Sequence, residues 1–103
     1  MTDAGGIDLW LDWQLQSRPA IVVPYAKSRA ETLVEYRIVL HKQSSAGRSR
    51  ISQGGKLRLI PEVAAPLSWI AVDRQPQDSC SVEVSLSRPG QPPFVRVFEC
   101  PAQ

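Results

Sequence analysis

The side chains suited to thiol, imidazole or metal chemistry are few in this 103-residue sequence: Cys80, Cys100 and the single histidine, His41. A structural zinc site takes four such ligands, so the set falls short, and no metal or other cofactor is implied. A Ser-His-Asp arrangement would have to use His41, and no G-x-S-x-G motif supplies its serine. P-loops, G-x-G-x-x-G turns and EF-hand loops are absent as well. An enzyme is therefore not expected. Neither cysteine has a histidine or cation beside it in sequence to depress a thiol pKa. Their remaining roles are a bond to each other or burial as two separate small hydrophobes.

The second resource is charge. Between Tyr36 and Pro61 stand Arg37, Lys42, Arg48, Arg50, Lys56 and Arg58, with no acid among them. The amino-terminal stretch carries Asp3, Asp8 and Asp12 and no base before Arg18. In strands, alternation sends Arg48 with Arg50, and Lys56 with Arg58, to shared outward faces. Arg37 and His41 likewise face away from the apolar side of their strand, while Lys42 takes the other side. Such a cluster reads either as a basic sheet face that attracts an acidic partner or as an ordinary solvated face. Nucleic acid is disfavoured: the stretch lacks stacking aromatics, and Tyr36 is expected on the buried side.

The elements that must position these residues read as strands. The length supports one domain, residues 1–103, with an ordered core over about 7–100. At 43% hydrophobic and 21% charged residues the composition is that of a globular protein. No apolar run approaches the ~20 residues of a membrane span. Ile7, Leu9, Leu11, Trp13 and Leu15 alternate on one face of a first strand. Ala20 to Ala26 follows, with Pro24 marking an edge position or a bulge. Thr32 to Lys42 puts Val34, Tyr36, Ile38 and Leu40 on one side. A helix also fits that window, but its β-branched and aromatic content favours a strand. Gly54-Gly55, between Arg48–Gln53 and Lys56–Ile60, predicts a bulge or tight turn. Leu67 to Val72, Cys80 to Leu86 and Phe94 to Cys100 complete about seven short antiparallel strands, the pattern of an all-β, immunoglobulin-like β-sandwich. Trp13 and Trp69 are expected in the core, and Trp10 on the polar face of its strand.

The last two strands specify a register. If Cys80 faces Cys100 in a hairpin, Val82 opposes Phe98, Val84 opposes Arg96 and Leu86 opposes Phe94. Ser79, Ser81, Glu83 and Ser85 then point to solvent. Arg96 is the misfit on the apolar side, and its head must snorkel to an edge. A non-hydrogen-bonded pair in such a hairpin brings two cysteines within disulfide reach, and a disulfide favours an oxidising compartment.

The stretch Tyr36-Arg37-Ile38-Val39-Leu40, with Gly47-Arg48-Ser49-Arg50-Ile51-Ser52-Gln53-Gly54-Gly55 after it, resembles the central signature of the CsgC-like family of curli accessory proteins, in its alphaproteobacterial CsgH branch. Asp78-Ser79-Cys80-Ser81-Val82-Glu83-Val84 resembles the family's penultimate strand, and the likeness runs from about Ile7 to Cys100. It implies an immunoglobulin-like fold, a periplasmic location with the leader absent from this chain, and a chaperone-like function. That function is to hold the curli major amyloid subunit, a CsgA-like protein, back from premature assembly. A monomer is expected, bound to neither nucleic acid nor membrane. The residues expected to contact the client are Arg37, Lys42, Arg48, Arg50, Lys56 and Arg58. CsgC carries a Cys-x-Cys pair linked to a redox role, and no such pair occurs here. A periplasmic thiol-disulfide protein is thereby a weaker alternative, beside an Ig-like adhesion or binding module. An antibody-type domain is disfavoured because the second strand has no cysteine to bridge two sheets.

Overall fold

The computed structural model describes residues 6–73 and 77–101, and every regular element among them is a strand. These are β1 (Ile7–Gln14), β2 (Ala20–Ser28), β3 (Thr32–Ser44), β4 (Gly47–Leu59), β5 (Ala65–Pro66), β6 (Ile70–Val72), β7 (Ser79–Ser87) and β8 (Phe94–Glu99). The ambiguous window 32–42 is strand throughout. One antiparallel sheet is ordered β1-β2-β5 with β6 also on β2, and the other β4-β3-β7-β8. Ile7 and Leu9 of β1, Val22 and Ala26 of β2, Val34, Ile38 and Leu40 of β3, and Val82, Val84 and Leu86 of β7 meet between them as one buried cluster. Period-two alternation thus delivers the expected sandwich.

Four details depart from the sequence reading, each for a local reason. Gly54 and Gly55 neither turn nor bulge: β4 pairs with β3 in one unbroken register from Ser44↔Gly47 to Thr32↔Leu59. The two glycines instead make room for Tyr36. A Cβ on Gly55 would lie 2.8 Å from the Tyr36 phenol oxygen, and one on Gly54 2.9 Å from the Tyr36 carbonyl oxygen. Pro24 sits on the central strand of its sheet, not on an edge, and the bulge expected as the alternative falls opposite it. The irregularity lies in its partner: Tyr25 pairs with Pro66 and Val22 with Ile70, so residues 67–69 carry one extra residue. The Pro24 carbonyl accepts the Leu67 N–H at 2.8 Å. Because a residue's N–H and C=O face the same neighbour in an antiparallel ladder, the missing donor also faces this interruption, and no bond to β1 is lost.

Trp69 is the third departure. It stands in the 67–69 segment and is 61% exposed, outside the core, whereas Trp13 packs against the core as expected. Leu15, beyond the end of β1, is exposed too. The segment closes one side of the sandwich through Ser68, whose hydroxyl donates to Gln53 Oε1 of β4. Arg96 closes the other. Its guanidinium lies 5.0 Å from the Phe98 ring centroid, and Nη1 donates to the Leu9 carbonyl of β1 at 3.4 Å. Snorkelling across the gap between sheets therefore resolves the misfit.

Candidate functional site: a basic sheet face

The β3–β4 register fixes what the outer face of the second sheet displays. Val34, Ile38 and Leu40 of β3 point into the core, so Glu35, Arg37 and His41 point out, beside Lys56, Gly54 and Arg50 of β4. Gln43 lies beside Arg48, and Leu33 beside Arg58. Arg37, Arg48, Arg50, Lys56 and Arg58 are all exposed on this one face. From Arg48 to Arg58 the β4 stripe runs ~34 Å at strand rise, most of the molecule's 43 Å length. Five of the six residues expected to contact a client are thus brought together.

Lys42 is not among them. It lies on the inward side of β3, opposite Ser49 and Cys80, and its ammonium donates to the Asp73 carbonyl. Arg58 is engaged as well, in an exposed ion pair with Glu31 at 3.0 Å. Three carboxylates temper the face: Glu35 beside Lys56, Glu83 beside Val39, and Glu99 beside Ser81. Glu83, expected on the solvent side of its strand, and Glu99 lie 25 and 41 residues beyond Arg58 in sequence and join the basic face only through the β3–β7–β8 pairing. Positive charge therefore dominates along β4, the edge strand, and is diluted toward β8. Near the β3–β4 turn, His41, Arg48 and Arg50 line a shallow depression with Ser79, Ser81 and Glu99.

The final hairpin takes the expected register, Val82↔Phe98, Val84↔Arg96 and Leu86↔Phe94. Cys80 and Cys100 form a disulfide with their Cα atoms 5.4 Å apart. The pair is not at a non-hydrogen-bonded position. Cys100 N–H donates to the Cys80 carbonyl at 3.1 Å, and the Cα separation matches a hydrogen-bonded pair. Along the chain no cation neighbours either cysteine, yet the fold sets Lys42 directly opposite Cys80. No group of three or more His, Cys, Asp or Glu among the described residues could hold a metal ion.

No protein-family model matches the chain. No curated protein matches it either. Among solved structures, the solution structure of R. palustris CsgH matches with a TM-score of 0.74 over 90% of this chain and 91% of that one, at 15% identity. The E. coli curli protein CsgC matches with a TM-score of 0.70 over 89% of this chain and 95% of that one, at 17% identity. The chain has the fold of CsgH and CsgC.

Proposed function

We propose that this chain is a non-enzymatic, curli-associated inhibitor of amyloid assembly. It acts in the periplasm as a monomer on a CsgA-like major subunit, through transient charge contacts from the outer face of the β4-β3-β7-β8 sheet. The observation that carries the reading is the alignment of Arg37, Arg48, Arg50, Lys56 and Arg58, all exposed, on one side of that sheet. Amyloid grows by backbone pairing and side-chain zippering of chains in register. A face that attracts acidic side chains holds monomers without offering a matching strand, and charge complementarity needs no fixed register to do so. The fold shared with CsgH and the curli protein CsgC supports the assignment, as do the signature-like residues of β3 and β4.

The test is thioflavin fluorescence of an aggregating curli major subunit with increasing amounts of this protein. A lag that lengthens with dose is expected, and an unchanged lag at excess protein overturns the function. A second mechanism, capping of a strand edge, is favoured by β8. It is an edge strand whose outward Val95 and Val97 are 50% and 61% exposed.

A further inference from the structure

The opposite face of the sandwich has a different chemistry. On the outer side of the first sheet, Asp8 lies beside Lys27, Trp10 beside Tyr25, and Asp12 beside Val23. Trp10 and Tyr25 stack with ring centroids 5.6 Å apart and planes 9° from parallel. Val23 faces this side and is outside the core cluster, yet it is only 1% exposed. Burial on a solvent-facing side needs a roof of large neighbouring side chains. Those in register around Val23 are Tyr25 and Trp10 on one flank and, on the other, Trp69 in the segment that faces Val23 and Pro24 across the sheet. Alternation from buried Ile70 sends Trp69 outward. Trp10 and Tyr25 thus stack beside a small apolar floor apart from the main core, with Trp69 exposed on the same side of the sheet.

Carboxylates frame the rings. Asp8 and Asp12 share the outward side of β1 with Trp10 midway, ~14 Å apart at strand rise. Both are exposed, and neither is in an ion pair among the described residues. Lys27, the cation of this face, is drawn 3.8 Å from Glu62. The face is therefore acidic and aromatic, the inverse of the basic stripe on the other sheet.

We propose that this face is a docking site for an extended peptide segment bearing arginine or lysine at positions i and i+4 with an apolar residue between them at i+2. The cations match the Asp8–Asp12 spacing, since four extended residues also span ~14 Å. Guanidinium groups gain both carboxylate hydrogen bonds and cation–π contact with tryptophan faces. The central apolar side chain lies against Trp10. The site is independent of the basic face and stands whether or not that face inhibits amyloid.

Each tryptophan supplies one indole N–H signal in a nitrogen-15 NMR spectrum, assigned with Trp10→Phe and Trp69→Phe. The probe is the synthetic peptide Arg-Ser-Leu-Ser-Arg, with Glu-Ser-Leu-Ser-Glu and chitotetraose as comparators. Saturable shifts are expected for Trp10 and Trp69 with the arginine peptide, while inward-facing Trp13 stays still. Loss of two exposed charge contacts in Asp8→Asn/Asp12→Asn should weaken binding roughly 2- to 30-fold. Raising salt from about 0.01 M to about 0.15 M, which shortens the screening length from ~30 Å to ~8 Å, should weaken it in the parent. The proposal is overturned by any of four outcomes: no shift, equal movement of Trp13, equal or stronger response to the acidic peptide or the sugar, or movement of Trp10 and Trp69 on concentrating the protein alone, which would make a second copy the occupant.

Discussion

Replacing Arg48, Arg50, Lys56 and Arg58 together by Gln tests the charge mechanism directly. All four side chains are exposed on the edge strand β4. Each change should alter stability by no more than about 0.5 kcal/mol, and the Arg58–Glu31 pair lost with them is a surface pair of the weak class. The effect on a client is larger. A unit charge ~8 Å from a client carboxylate contributes about 0.5 kcal/mol in water before screening, and about 0.2 kcal/mol after it at 0.15 M salt. Arg48 with Arg50, and Lys56 with Arg58, lie ~7 Å apart within each pair while the stripe spans ~34 Å, so a client carboxylate meets one pair at a time. One carboxylate is worth ~0.4 kcal/mol, a factor of about 2 in affinity, and one at each pair ~0.8 kcal/mol, a factor of about 4. The amount of protein needed to double the thioflavin lag should therefore rise by about 2- to 4-fold in the variant. At ~0.01 M salt the same charges contribute roughly twice as much, so the gap between parent and variant should widen there. Arg18→Gln/Arg29→Gln, compared with Arg48→Gln/Arg50→Gln, removes two exposed cations from elsewhere at equal net charge and should leave the dose unchanged. A correctly folded four-Gln protein that inhibits at the parental dose, at both salt levels, refutes the argument. The stripe is then a solvated face, and β8 becomes the better contact.

The Cys80–Cys100 bond closes a loop of sequence separation 20, worth ~3 kcal/mol in the chain-entropy model. Reduction should lower the melting temperature by roughly 12–24 °C without abolishing the fold, as followed by circular dichroism; complete unfolding at room temperature would show the sandwich to depend on the staple. A folded Cys80→Ser/Cys100→Ser protein should keep its effect on thioflavin lag, because the cysteines lie on the opposite side of their strands from the exposed cations; loss of inhibition with an intact fold would restore the thiol-disulfide reading. Gly54→Ala should cost about 1–3 kcal/mol in a urea unfolding titration, since the added Cβ meets the backbone oxygen of Tyr36 at 2.9 Å; an unchanged midpoint would mean that β4 yields there freely.

Period-two patterns were legible wherever one face of a strand is buried and the other is wet, as in β3 and β7, and they carried the hairpin register and the disulfide with them. The basic face was legible for the same reason, because five of its cations fall on one parity of two adjacent strands. What misled was residue type read without a partner. Gly54-Gly55 looks like punctuation, and only the pairing with β3 reveals that Gly55 accommodates the Tyr36 ring and Gly54 the Tyr36 carbonyl oxygen. Trp69 has the volume of a core residue, but the extra residue opposite Pro24 takes it outward. Alternation put Lys42 on the other side of β3, but its bond to the Asp73 carbonyl, like the place of Glu83 and Glu99 beside the cations, depends on contacts between distant segments, and local spacing carries no trace of those.

A protein built from strands that handles an amyloid client must also keep its own edges out of the fibre. Long edges are the hazard, because a row of unpaired backbone groups templates the addition of another chain. Here the 13-residue β4 is an edge strand, and charged side chains are one of the devices that blunt such an edge. On β1, the edge of the other sheet, Asp8 and Asp12 carry charge of the opposite sign, and the Leu9 carbonyl is taken by Arg96. β8, which bears exposed valines, is only six residues long. Under the proposed function, then, attraction and edge protection come from the same four cations of β4. Neutralising them both loosens the hold on an acidic client and leaves a long edge of serine, glutamine, glycine and leucine open to backbone pairing. The two effects act in one direction, toward assembly, so charge on this strand serves inhibition twice.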